Sequence, residues 1–137
     1  MKKILALLLA VYCATLLDAG EAKDPGDWPG WRGADRTGVS TETGLLKEWP
    51  RDGPKLLWKA TDLGGGYSTP SVAGGRVFLM GSQGNEEFLH ALDVKVGRLL
   101  WSTKVGAVGE NTGPSYPGPR STPTVDGERL YTLGSDG

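Results

Sequence analysis

The sequence predicts an all-β fold, namely part of a β-propeller built from four-stranded antiparallel blades. The first observation is that short apolar runs alternate with turn residues, and the 137 residues include 22 Gly and 9 Pro. The second is an internal repeat: the sequence LLW at residues 56–58 returns at 99–101, and STP at 68–70 returns at 121–123. Repeats separated by about 40 to 50 residues with four strands each are typical of propeller blades.

Residues 1–22 are predicted to form a signal helix that is separate from the fold. Lys2 and Lys3 precede an apolar run over residues 4–17, and small residues follow that run. An uncleaved membrane anchor is the alternative, but the run is shorter than the roughly 20 residues that span a bilayer. We therefore expect an exported chain, periplasmic or extracellular and not membrane-spanning after cleavage. The single cysteine, Cys13, lies in this run, so we expect the mature chain to have no thiol chemistry.

Residues 23–54 are predicted to form an irregular lead-in that is rich in Trp, Gly and Pro. The segment 27–33, with the sequence DWPGWRG, is incompatible with a helix interior and awkward for a central strand. We expect Trp28 and Trp31 to be buried anchors that cover a surface built by later residues. The alternative is an exposed aromatic platform that binds a sugar or a cation.

Residues 55–137 are predicted to form the partial propeller, with about one complete blade and parts of two others. The four strands of the complete blade are expected near residues 69–73, 76–81, 88–92 and 98–104. Residues 56–60 are expected to supply the last strand of a preceding blade. The first two strands of a following blade are expected in residues 121–133. Glu86 and Glu87 are assigned to a solvated turn between the second and third strands.

A hairpin turn over residues 93–97 lies at the centre of the complete blade. Asp93 opens this turn and can accept hydrogen bonds from backbone N–H groups two or three residues later. Gly97 closes the turn and can take the positive φ that such a closing requires. A catalytic role for Asp93 is the alternative, and the turn-capping role is favoured because it is the commoner use of aspartate in this position.

Residues 91–101, with the pattern A-L-D-x-x-x-G-x-x-x-W, resemble the repeat of pyrroloquinoline-quinone (PQQ) type β-propellers. The usual form of that repeat is A-x-D-x-x-T-G-x-x-x-W, so Val96 departs from it by lacking a turn hydroxyl. The resemblance implies that Trp101, and Trp58 by the repeat, dock onto a neighbouring blade. The lead-in sequence WPGWRG at 28–33 also resembles the opening of exported propeller proteins of this type.

Two classes of function follow from this resemblance. The favoured one is a non-catalytic platform with a protein or small-molecule ligand on the propeller face, as in the outer-membrane β-barrel assembly lipoprotein that this family also resembles. The alternative is the N-terminal part of a PQQ-dependent alcohol dehydrogenase, whose propeller axis holds the quinone and calcium. The adjacent cysteine pair on which such dehydrogenases often stack the quinone is missing. No catalytic residue is identified, and the cofactor stays open.

The LLW sequence repeats after 43 residues and the STP sequence after 53, and the ten extra residues fall in the loop over residues 106–120. This loop is the only candidate segment for ligand binding. Its polar residues Glu110, Asn111 and Arg120 are the candidate cofactor-binding residues, since a planar guanidinium suits a carboxylate-bearing quinone. The favoured alternative is a solvated Gly-Pro loop. His90, the single histidine, is assigned a structural role in a strand.

The net charge and the number of predicted blades lead to two further expectations. The formal net charge of −1, with no basic stripe, argues against nucleic-acid binding. Because about four or more blades are needed to close a ring, we expect the sequence to be the N-terminal piece of a longer protein. Such a piece alone is predicted to aggregate or to unfold without a cooperative transition.

Overall fold

The computed structural model describes residues 24, 26–110 and 116–137, and these residues contain strands but no helix. Accordingly, none of them belongs to a helix that is long and apolar enough to cross a membrane. The strands are β1 (Ser71–Ala73), β2 (Arg76–Gln83), β3 (Glu86–Asp93), β4 (Leu99–Ala107), β5 (Thr124–Asp126) and β6 (Arg129–Tyr131). Strands β1 to β4 form one antiparallel sheet in chain order, and β5 pairs with β6. The predicted all-β class, with one complete blade and the first two strands of the next, is confirmed. The predicted signal helix lies outside the described residues.

The turn between β2 and β3 is shorter than the sequence suggests. Gly84, with a φ of 61°, and Asn85 complete the reversal, so strand pairing already begins at Gln83 and Glu86. A glycine with positive φ at the first central position is what a two-residue hairpin turn requires. The assignment of Glu86 and Glu87 to a solvated turn is therefore wrong, because both residues belong to β3.

The strand expected at residues 56–60 is absent. In the described part of the chain, no backbone-to-backbone hydrogen bond joins this segment to another, and Leu56 and Leu57 are exposed. A strand is stable only when a partner backbone satisfies its N–H and C=O groups. The nearest backbone pairing forms later, where Gly65 and Ser82 exchange hydrogen bonds of 2.9 and 2.7 Å.

Most of the apolar core of the blade lies on one face of β2 and β3, and Leu92 is buried on the opposite face of β3. Phe78 is opposite Ala91, and Met80 is opposite Leu89, and all four side chains are buried. The alternation follows from the strand period of two, which sends every second side chain to the same face. Ala91 is in turn opposite Trp101 of β4, so Phe78, Ala91 and Trp101 lie side by side across three strands. The Trp101 ring centroid lies 6.1 Å from that of Phe78.

Candidate functional site

The lead-in connects the first strands of the two blades. The Trp28 backbone N–H donates to the Val72 carbonyl at 2.7 Å and its carbonyl accepts from Val72 N–H at 2.9 Å, so Trp28 pairs with the edge of β1. The Pro29 carbonyl accepts from Val125 N–H of β5 at 2.7 Å. Strands β1 and β5 also lie next to each other. The lead-in therefore lies along the edges of the first strands of both sheets.

A cleft of about 590 Å³ separates the lead-in from the β5–β6 hairpin. Ligand sites commonly have volumes of about 300 to 1,000 Å³. The lead-in contributes Trp31 and Arg36 to the lining, and the hairpin contributes Thr124, Asp126 and Tyr131. The cleft thus combines an aromatic ring from each wall with a cation, a carboxylate and a hydroxyl. This combination makes it the candidate binding site, which we call the lead-in cleft.

The two tryptophans of the lead-in differ in exposure. Trp28 is partly buried, with its ring against Gly33, whereas Trp31 is 63% exposed, so the expectation of a buried anchor is wrong for Trp31. The chain reverses directly after Trp31, where Arg32 and Arg36 take positive φ values of 64° and 55°, and the ring remains at the surface. The guanidinium carbon of Arg32 lies 5.4 Å from the Trp31 ring centroid, and its Nη2 donates to the Thr37 carbonyl at 3.1 Å.

Asp93 has the geometry of a turn-capping aspartate. Its Oδ1 accepts hydrogen bonds from the backbone N–H groups of Lys95 at 2.9 Å and Val96 at 3.1 Å. Gly97 has a φ of 66°, and its N–H donates to the Asp93 carbonyl at 2.8 Å. The carboxylate thus holds the hairpin between β3 and β4, and these contacts favour the structural interpretation over the catalytic one.

Trp58 and Trp101, the repeated tryptophans, have different surroundings. The Trp58 ring lies against Gly97, where any Cβ would overlap it, and its Nε1 donates to the Val94 carbonyl at 3.0 Å. A residue that precedes the blade therefore covers the hairpin turn of that blade. Trp101 contacts Phe78 within its own sheet and remains 39% exposed.

The loop residues proposed for a cofactor are not brought together with the lead-in cleft. Arg120 donates through Nε and Nη2 to the Tyr116 carbonyl, at 3.2 and 2.8 Å, and Glu110 is exposed. Asn111 lies outside the described residues. Arg120 thus uses two of its donors within its own loop. The cofactor role of these three residues stays a prediction.

Glu87 is a buried carboxylate that sequence reasoning missed. It is fully buried, and its Oε2 and Oε1 accept from the backbone N–H and the hydroxyl of Ser135, at 2.8 and 2.5 Å. The Ser135 hydroxyl in turn accepts from Gly109 N–H at 2.8 Å. A Gly-Ser pair occurs at residues 81–82, inside β2, and again at 134–135, after β6. In the first copy, Ser82 pairs with Gly65. The recurrence of the Gly-Ser pair was the sequence signal that its serine forms hydrogen bonds with another segment of the chain.

His90 is held by hydrogen bonds on both ring nitrogens. Its Nε2 lies 3.0 Å from the Leu63 carbonyl, and its Nδ1 is paired with the Ser102 hydroxyl. A carbonyl can only accept, so Nε2 carries the proton and, in the neutral ring, Nδ1 accepts from Ser102. Burial lowers the pKa of His90, and the Leu63 hydrogen bond partly opposes this effect. Over the described residues, no three His, Cys, Asp or Glu side chains are grouped so as to hold a metal ion.

The four-stranded blade and the tryptophan placed on the D-x-x-x-G turn define a PQQ-like β-propeller repeat protein. A family model described as outer membrane protein assembly factor BamB matches residues 22–137, and the chain belongs to this family. The predicted family resemblance is thereby confirmed. No curated protein and no solved structure matches the chain.

Proposed function

We propose that the protein is an exported, non-catalytic propeller that binds a protein or small-molecule ligand as a platform for outer-membrane assembly. The family description, an outer membrane protein assembly factor, supports the assembly role. The structural observation that carries the proposal is the position of the lead-in on the edges of β1 and β5, which would face the axis of a propeller whose first strands line the central channel. The lead-in cleft beside these edges offers its binding groups to solvent.

The competing class is a dehydrogenase that holds its quinone at the propeller axis. A group placed at the edges of β1 and β5 would displace the three backbone hydrogen bonds of Trp28 and Pro29. Each such bond contributes about 0.5 to 1.5 kcal/mol net, so their loss opposes binding by roughly 2 to 4 kcal/mol. Occupation of these edges by the protein's own backbone supports the platform over the dehydrogenase.

The test begins with the purified protein, the quinone and calcium. We expect no quinone absorbance to stay with the protein after desalting and no dye-linked oxidation of alcohols. A retained chromophore together with calcium-dependent oxidation would refute the non-catalytic assignment.

The assembly role is tested separately with a fluorescently labelled, urea-unfolded outer-membrane β-barrel protein. We expect saturable binding by fluorescence anisotropy after dilution of the urea, with an unfolded water-soluble protein of similar length as the control. Equal binding of both would contradict the assembly role. Export predicts that protein recovered from the periplasmic fraction has lost residues 1–22, which mass spectrometry measures.

A further inference from the structure

We propose that the lead-in cleft binds an acidic sugar chain. The inference rests on the platform function, because it names the chemical class of ligand for the same cleft. It depends on three features: two exposed aromatic rings, a set of polar groups beside them, and an unusual backbone conformation in the lead-in wall.

The aromatic rings come from opposite walls of the cleft. Trp31 belongs to the lead-in and Tyr131 to β6, and at least half of each side chain is exposed. Aromatic side chains commonly line the clefts that bind small ligands. A sugar ring presents C–H groups on its face, which pack against an aromatic ring while the hydroxyl groups at its edge remain free. Arg32 does not line the cleft. Its guanidinium lies over the Trp31 ring, and this cation–π contact restrains the orientation of the ring.

The polar groups define the acidic character of the ligand. Arg36 offers a planar set of donors, which matches a carboxylate through two parallel hydrogen bonds. The Asp126 carboxylate and the Thr124 hydroxyl can accept from sugar hydroxyl groups. Over the described residues, the side chains of Arg36 and Asp126 form no hydrogen bond or ion pair with the protein. The Asp126 carboxylate needs a hydrogen-bond donor, which a sugar hydroxyl supplies and a phosphate chain does not, so an acid-bearing sugar fits the lining better than a polyphosphate.

The backbone of the lead-in wall provides the third feature. Arg32 and Arg36 are non-glycine residues with φ values of 64° and 55°. Such left-handed conformations cost energy and concentrate at binding sites and active sites. Here the conformation places Trp31 and Arg36 on the same wall, so the strain is coupled to the two side chains that would contact the ligand.

The probe is tetragalacturonic acid, with its fully methyl-esterified form as the neutral match. Isothermal titration calorimetry on the full chain measures both affinities. We expect the acid to bind at least tenfold more tightly than the ester, because only the acid can pair with Arg36. Arg36→Gln is expected to reduce acid binding to the level of the ester, whereas Arg51→Gln, an exposed arginine outside the cleft, leaves it unchanged.

The aromatic contribution is tested with a second matched pair. Trp31→Ala is expected to weaken the binding of both acid and ester at least tenfold, whereas Trp49→Ala, 71% exposed and outside the cleft, has no effect. Both tryptophans are exposed, so circular dichroism is expected to show the same fold in each variant. Absence of acid binding, equal affinity for acid and ester, or equal loss in both tryptophan variants would overturn the proposal. A retained quinone chromophore would instead overturn the platform function.

Discussion

Replacing Gly97 by Ala tests the contact between Trp58 and the hairpin turn. The left-handed φ of 66° costs an alanine about 1 to 2 kcal/mol. The added Cβ would overlap the Trp58 ring, which would move and release its hydrogen bond to Val94, at a cost of about 1 to 2 kcal/mol more. The free energy of opening the hairpin is therefore expected to fall by about 2 to 4 kcal/mol. Backbone strain accounts for about half of this decrease, and the lost Trp58 contact accounts for the rest.

Hydrogen exchange at the Asp93 and Gly97 amides measures this opening locally, because both amides are bonded within the hairpin. Their protection is expected to fall about 30- to 1,000-fold, at 1.4 kcal/mol for each factor of ten. The control is Gly74→Ala, at a φ of 55° with open space around the added Cβ, which incurs strain alone. In a Trp58→Ala background, Gly97→Ala should lower the free energy of opening the hairpin by no more than this control substitution lowers it in its own turn. If Gly97→Ala has the same effect with and without Trp58, the reasoning is refuted.

Glu87→Ala is expected to lower the free energy of unfolding by about 2 to 3 kcal/mol, because the N–H and hydroxyl of Ser135 lose their buried acceptor. Glu86→Ala, which removes only an exposed ion pair with Lys104, is expected to cost at most about 1 kcal/mol. Stability is expected to decrease as the pH falls below about 6.5, and His90→Gln should reduce this dependence. Hydrogen exchange at the β3 amides measures all three effects as free energies of local opening, which does not require a cooperative unfolding transition.

The pH prediction follows from the direction of the His90 pKa shift. Burial lowers the pKa of the folded protein, so between that lowered value and about 6.5 the unfolded chain binds a proton that the folded chain does not. Stability is full above this window and is lost as the pH falls through it. An equal pH dependence in the wild type and His90→Gln would contradict this account. Equal losses of stability in the Glu86→Ala and Glu87→Ala variants would contradict the stabilising role of the Glu87–Ser135 hydrogen bonds.

Local chemistry explains why the blade strands could be predicted. The paired glycines at 74–75 and the Asp93 to Gly97 turn each determine a reversal within a few residues. Between these turns, the alternation of apolar side chains indicates the buried face of β2, whereas β3 is buried on both faces over residues 89–92. The predicted strands therefore overlap the observed ones, and the differences are confined to their ends, where β4 continues three residues further, to Ala107.

Features that depend on distant residues could not be predicted in this way. Glu87 has the composition of a turn residue, and only Ser135, 48 residues later, makes its burial favourable. Residues 56–60 have the apolar pattern of a strand, but the observed contact of Trp58 is through its side chain to the turn at Val94. The exposure of Trp31 likewise depends on the backbone reversal after it, which no apolar periodicity encodes.

The hydrogen bond from Val125 to Pro29 also has a consequence for the order of folding. The two residues are about 100 positions apart, so ribosomal synthesis at roughly 5 to 20 residues per second separates their appearance by about 5 to 20 s. Hairpins such as β2–β3 form within about 1 to 10 µs once both strands are available. The lead-in therefore emerges before both strands that it joins, and its contact with β5 forms only after Val125 has been synthesised.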